Sequence, residues 1–407
     1  MFDKPAILGG TPVFGQFVPL VRPTLPPYDD DFARDVAGLF ESGMLTKGEH
    51  LREFEERMAA HLGVRHAVGV ASCTLGLLLT YHGLGLKGEV VVPSFTFMAT
   101  VHPLLWAGAE PVFVDIDPHT WNVDPARVEA AITERTRAIV AVHNFGNPAP
   151  IAELEALAQR YGLRLVFDAA HGAGSLYRGQ PVGGFGDAEV FSLSPTKLLV
   201  AGEGGIVATN DDGLAEHVRL GREYGNSGDY DSRFPGLNAR LPEFNALLGT
   251  RSLDLLEESA ERRNCVATVF RERLGRLPGL TFQRIHPTDR CSYKDFSLLV
   301  DEERFGLTRD QLSAALRAEN IDTRKYHHPP VHRHQTYQHT LPRWGDALPV
   351  TDQVARQSLS LPIWSHMDPD TVAGICRAVE RTHHFAEALS GGRAPLTGLR
   401  RTIDARA

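Results

Sequence analysis

Seven short apolar runs, separated by stretches of helical periodicity, constrain this chain more than any other feature. The runs are AVGV (67–70), VVVP (90–93), PVFVD (111–115), AIVAV (138–142), RLVFD (164–168), AEVFSL (188–193) and GGIVATN (204–210). Between them, 74–83, 100–107, 125–132 and 151–161 carry apolar residues at helical spacing. Continuously apolar strands alternating with helices predict an α/β fold: a mainly parallel seven-stranded sheet, buried on both faces in a three-layer αβα domain. Past about residue 250 the texture changes. A long helix is predicted over 247–271, then PGLTFQRI, YKDFSLLVD, a helix over 308–319 and a last one near 368–382, which together read as a smaller α+β C-terminal domain.

A chain of 407 residues exceeds one ordinary core. Four segments are expected: a Pro- and Gly-rich N-terminal arm at 1–30, a large domain at 31–250, a small domain at 251–385 and a flexible tail at 386–407. An arm of this kind either crosses onto a partner subunit or is a disordered lead-in. The tail's basic residues, Arg393, Arg400, Arg401 and Arg406, are few and spread out, as in a solvated chain end.

The formal net charge is −8 with no basic stripe, which argues against nucleic acid as a partner. The four cysteines, Cys73, Cys265, Cys291 and Cys376, form no CxxC pair, so neither a metal site nor a disulfide framework is expected. No apolar stretch reaches about 18 residues, the minimum for a membrane span. Residues 1–10 lack the pattern of a signal peptide. The expected location is cytoplasmic.

In open α/β sheets ligands gather at the carboxyl ends of the strands. Four features follow strand ends here. Ser72-Cys73-Thr74 opens an apolar helix, where free N–H groups and the positive dipole end suit a phosphate; alone, Ser72 or Thr74 is equally a helix N-cap. Ser94-Phe95-Thr96-Phe97 offers rings for stacking on a flat cofactor, or for core packing. Asp168 ends RLVFD, with His171 three residues on. A carboxylate among apolar residues needs a cationic or hydrogen-bonding partner, and a protonated pyridine nitrogen, a helix end or a salt bridge each qualifies. Lys197 follows AEVFSL, beside Leu198, Leu199 and Val200, which would desolvate its amine and favour the neutral, nucleophilic form; a surface lysine is the plainer reading. Each feature alone has an ordinary explanation. The set together, in one α/β domain, matches what pyridoxal 5'-phosphate (PLP) requires: an anion site, a ring stack, an acid for the ring nitrogen and a lysine for the aldehyde.

With these motifs in hand the chain resembles the DegT/DnrJ/StrS family of sugar aminotransferases, which share the fold of the aspartate aminotransferase superfamily. The resemblance rests on EVVVPSFTFMAT, GAEPVFVDIDPHTWNVDP, FDAAHGAGSLYRGQPVGGFGDAEVFSLSPTK, GEGGIVATND, GLNARLPEFNALLG, YHHPPVH and LPVTD…LSLPIW, from about Leu45 to Arg381. It implies that Lys197 holds the cofactor covalently and then shuttles protons, and that Asp168 pairs with the ring nitrogen. It places His171 near the ring hydroxyl, Phe97 against the ring, and Ser192, Cys73 and Thr74 on the phosphate. Asn238 would reach the phosphate of a neighbouring subunit, making a homodimer with shared active sites. His332 would lie near the acceptor. Two positions depart from the family pattern: Cys73 stands where Gly is usual, and Ser194 where His is usual.

The activity implied is transfer of an amino group from glutamate or glutamine to a keto sugar, nucleotide-linked (dTDP or UDP) and of the 3- or 4-keto-6-deoxy type, in amino-sugar biosynthesis. The opening Ile7-Leu8-Gly9-Gly10-Thr11-Pro12 also resembles the cyclitol and aminobenzoate branches of the family, so a keto-cyclitol such as scyllo-inosose is an alternative acceptor. A PLP-binding regulator with little turnover is the reading from another class; no basic patch or DNA-binding helix pair supports it.

Overall fold

The protein was analysed as a computed structural model describing residues 2–340 and 348–391, without the side chains of 339 and 340. Twelve strands occur among the described residues, in chain order: β1 (His66–Val70), β2 (Gly88–Pro93), β3 (Ala109–Val114), β4 (Thr136–Val142), β5 (Arg164–Asp168), β6 (Leu176–Tyr177), β7 (Gln180–Pro181), β8 (Ala188–Ser192), β9 (Gly205–Thr209), β10 (Leu280–Phe282), β11 (Phe296–Val300) and β12 (Ser358–Leu361). Seven of them form one sheet in the order β1-β9-β8-β5-β4-β2-β3. β2, β3, β4, β5 and β8 pair in parallel; β9 runs against both β8 and β1. The expected mainly parallel seven-stranded sheet is present.

The apolar runs are continuous because both faces are covered. Val91, Ile139, Ala141, Phe167 and Phe191 pack into one core, while their neighbours Val90, Val92, Val140, Val166 and Val190 pack into another. This is the period-2 alternation of strands, applied to two buried faces instead of one. A third core surrounds the small antiparallel sheet β10-β11-β12 and contains Phe270, Phe296, Leu298, Leu359, Leu361 and Ile375. Leu299, on the opposite face of β11, meets Phe95, Trp121 and Phe145, so the small sheet leans on the loops above β2 and β4.

Several expectations need correcting. The single helix expected over 247–271 is two, Glu243–Leu253 and Leu256–Leu274. At the break the Leu255 N–H reaches back to the Ser252 carbonyl, three residues away. The turn serves two cores: Leu253, Leu256 and Ala260 stay in the first, and Val266, Phe270 and Leu274 enter the third. The helix expected over 100–107 is only His102–Trp106, preceded by a 3-10 turn at Met98–Thr100.

Residues 6–20 of the arm make contacts with their own chain. The Ala6 and Val13 N–H groups donate to the Glu319 carboxylate, itself paired with Arg381. Val18 forms a bridge with Ile321. Ala386–Gly391, assigned to the tail, is helical because Ala386 packs into the third core. Arg393, Arg400, Arg401 and Arg406 lie outside the described residues. No helix among the described residues is long and apolar enough to cross a membrane.

Candidate active site

The carboxyl ends of β1, β5 and β8 lie side by side, and because β9 is reversed its first residue, Gly205, sits opposite Ser192 on β8 and Val70 on β1. Above this edge opens a cavity of about 340 Å³, lined by Ser72, Cys73, Thr74, Phe97, Asp168, His171, Ser192 and Lys197 among others. Eight of the ten residues singled out from the sequence therefore share one cavity. Its size lies in the range typical of small-molecule sites.

Asp168 is buried at the floor. Its Oδ2 accepts from the Thr100 hydroxyl at 2.6 Å and its Oδ1 from the Ala170 N–H at 3.0 Å. Both donors are neutral. Burial therefore still raises the carboxyl above its ordinary pKa, opposed by those two hydrogen bonds.

Lys197 follows β8 in a turn closed by its own N–H on the Ser194 carbonyl, 3.0 Å. Burial, then the Lys294 ammonium, lowers its pKa to about 8. The sign favours reactivity, since only the neutral amine is nucleophilic. Loading of the apo-protein with PLP, followed by the rise of visible absorbance, is expected to quicken with pH and level off above about pH 8. An unperturbed lysine would keep quickening to roughly pH 10.4.

The candidate anion cradle is the start of the Cys73–Gly83 helix. Ser72 is its N-cap: the hydroxyl accepts from the Leu75 N–H at 3.2 Å. Ser72 is thus the N-cap and also lines the cavity. Cys73, in the place of the family's Gly, turns its thiol down toward the sheet, donating to the Val190 carbonyl at 3.5 Å. Burial, then the Asp168 charge, pushes that thiol's pKa well up, so it stays neutral. The extra Cβ leaves the cradle open. The close approach comes from the other side: a Cβ on Gly205 would stand 2.6 Å from the Cys73 nitrogen. Gly205→Ala is expected to cost about 1–3 kcal/mol of stability through overpacking and to weaken PLP retention, read by denaturant unfolding and by dialysis. Unchanged values for both would contradict the placement.

His171 accepts the Phe145 N–H on Nδ1 at 3.2 Å, which leaves the proton on Nε2. Burial, then the charges of Lys197 and Lys294, holds it well below its ordinary pKa, hence neutral. Phe97 is 54% exposed, so it is a cavity wall and not core. Ser192 and Ser194 both line the cavity.

Two residues lie elsewhere. Asn238 is exposed, bridged to Glu223, and absent from this lining. His332, expected near the acceptor, is buried outside the cavity. Its Nδ1 is 2.7 Å from the Ser94 hydroxyl, which also accepts the His332 N–H at 2.9 Å. It ties the 330–334 turn to the end of β2, and its Nε2, 3.6 Å from Asp352 Oδ1, has no hydrogen-bond partner among the described residues.

The sequence reading missed Thr100, Lys294, Asp295, Tyr326 and His327. Lys294 and Asp295 sit in YKDFSLLVD, which shows only as a strand of the smaller sheet. His327 lies in the quoted YHHPPVH, five residues before the histidine singled out there.

The lining suits PLP on three counts: free N–H groups at a helix start, a buried carboxylate with only neutral hydrogen-bond donors, and a desolvated amine. Ser72, Cys73, Thr74 and Ser192 would hold the phosphate, Asp168 the ring nitrogen and Lys197 the aldehyde.

Comparison with known proteins agrees. The description of the DegT/DnrJ/EryC1/StrS aminotransferase family matches residues 26–380. Spore coat polysaccharide biosynthesis protein SpsC of Bacillus subtilis (strain 168) is 35% identical over 371 residues, 88% of this chain and 95% of that protein. The dTDP-4-amino-4,6-dideoxy-D-glucose transaminase of Escherichia coli is 30% identical over 362 residues, 88% of this chain and 97% of that protein. The crystal structure of DesI in the presence of its TDP-sugar product superposes with a TM-score of 0.86 and 37% identity, covering 95% of this chain and 97% of that one. The chain belongs to the DegT/DnrJ/EryC1/StrS aminotransferase family and is a PLP-dependent transaminase.

Proposed function

We propose that this enzyme moves an amino group from glutamate or glutamine to a nucleotide-linked keto sugar of the 3- or 4-keto-6-deoxy type. The observation that carries the reading is the convergence of Lys197, Asp168 and the helix start at Ser72–Thr74 on one cavity. The acceptor class is supported by similarity to DesI, whose structure contains a TDP-sugar product, and to the Escherichia coli transaminase of a dTDP-linked sugar.

Bound PLP supplies an aldehyde that takes up the amino group and a ring that withdraws electrons from the carbon losing its proton. The protein's residues do the rest. Lys197 Nζ, whose pKa is lowered to about 8 so that an appreciable fraction is neutral near that pH, would take the proton from the donor's Cα and deliver it at the adjoining carbon. Asp168 keeps its charge against a protonated ring nitrogen, while Thr100 and Ala170 fix its two oxygens. His171 offers Nε2–H toward the ring hydroxyl. Phe97, on the cavity wall, would cover one face of the ring. Asn238 serves the phosphate of a neighbouring subunit in a homodimer, a role supported by its exposure and its place outside this subunit's cavity.

The test is to charge the enzyme with glutamate or glutamine, remove the donor, and offer dTDP- and UDP-linked 3- and 4-keto-6-deoxy sugars beside scyllo-inosose. Mass spectrometry should find an amino product from a nucleotide-linked sugar. Product from scyllo-inosose alone would move the enzyme to keto-cyclitols.

A further inference from the structure

Two cations and a carboxylate stand together on the wall that the small domain contributes to the cavity. Lys294 and Asp295 both line it and are 6% and 5% exposed. Lys294 Nζ lies 3.0 Å from both Asp295 oxygens, which leaves one of its three N–H donors for something else. Beneath them Arg263 is completely buried, its Nη1 donating to the carbonyls of Tyr293 at 3.0 Å and Lys294 at 3.1 Å. Asp295 stabilises that guanidinium. Two cations against one carboxylate leave surplus positive charge at this wall.

His327 completes it. The ring is clamped parallel to Phe145 (5.6 Å between centroids, 6° between planes) and edge-on to Phe95 at 5.2 Å. The residue is 92% buried by its 8% exposure, lines the cavity, and its Nε2 has no hydrogen-bond partner among the described residues. Burial holds it neutral, with a pKa near 3. A buried imidazole nitrogen without a partner is costly unless a ligand supplies one.

We infer that Lys294, backed by Asp295 and Arg263, and His327 form the subsite that takes the carboxylate of the amino donor. The inference rests on the aminotransfer reading above. An amino donor carries a carboxylate on the carbon that reacts beside Lys197, and that charge must be met within the cavity, where an unpaired charge is costly. Among the described residues lining it there is no arginine, and Lys197 is neutral when it reacts. Lys294 is the cation that this subunit offers for the task. The Asp295 charge, answered by Arg263, keeps the Lys294 ammonium in place between turnovers without cancelling its pull on an anion.

The test uses the holoenzyme and the 2-methyl analogue of whichever donor, glutamate or glutamine, alters the wild-type spectrum. The analogue has no Cα hydrogen, so it binds without transfer, and calorimetry reads its dissociation constant. Lys294→Met should weaken binding at least about 10-fold, as for a lost charge-assisted hydrogen bond. Lys294→Arg should restore binding to within about threefold, and His327→Phe should weaken it about 3- to 10-fold, as for a neutral hydrogen bond. Wild-type affinity in Lys294→Met would overturn the inference. Should Lys294→Met unfold, His327→Phe decides, and unchanged affinity there overturns it. A wild type whose spectrum responds to no donor would instead overturn the aminotransfer reading itself.

Discussion

Lys197→Ala is expected to lower amino transfer by about 10³-fold or more, because proton transfer by a positioned base alone is worth 10²–10⁴, and to let PLP leave on dialysis. The structure gives two reasons for so large an effect. Lys197 is the residue that would hold the aldehyde, and in the proposed mechanism it is also the base within the same cavity. The cavity's remaining lysine, Lys294, is tied to Asp295 through two contacts of 3.0 Å and cannot swing over to replace it. Added small amines should restore part of the rate, because the cavity left by the side chain admits a diffusible base. Retention of PLP and of more than about a tenth of the rate would remove Lys197 from the chemistry.

Asp168→Asn should slow the donor half-reaction about 10²- to 10³-fold, the size found when one preorganised electrostatic partner is removed. The carboxamide has nearly the same shape. Its oxygen can still accept from Thr100 or Ala170, so the fold should survive. What it lacks is charge. In the native site burial has already raised the carboxyl's pKa, and a protonated ring nitrogen restores the charged form by giving it a partner. An amide cannot hold that proton on the ring, which then withdraws electrons poorly. Stopped-flow rates with glutamate or glutamine check this, with the thermal midpoint as the control for folding. A rate near that of the wild type would show that Asp168 is a structural acid.

How far the sequence could be read follows from what kind of interaction made each feature. The seven apolar runs were legible because burial on both faces is a local constraint, written along each strand. Ser72–Thr74, Asp168 and Lys197 were legible because the parallel sheet brings strand ends to one edge, so sequence order maps onto position. The break at Asp254 and Leu255 was hidden: the periodicity continues through it, and only the change of core, from Leu256 to Phe270, requires the turn. Lys294, Asp295 and His327 were hidden for a different reason. They approach from the small domain, Lys294 and Asp295 just before β11 and His327 in the loop before Val331, and neither YKDFSLLVD nor YHHPPVH marks which residue will face a cavity built by β1, β5 and β8. His332 shows the converse. It stood out as a motif residue, yet two hydrogen bonds to Ser94 place it in the scaffold.

The measurement that tests the account most directly is the absorption spectrum of the purified protein loaded with PLP, before and after addition of glutamate or glutamine. The account predicts a visible band from cofactor held by Lys197, which gives way to near-ultraviolet absorption when either donor is added, in stoichiometric amount and without an acceptor. A band that no donor alters, in protein that holds PLP at full occupancy, would contradict transamination at this site.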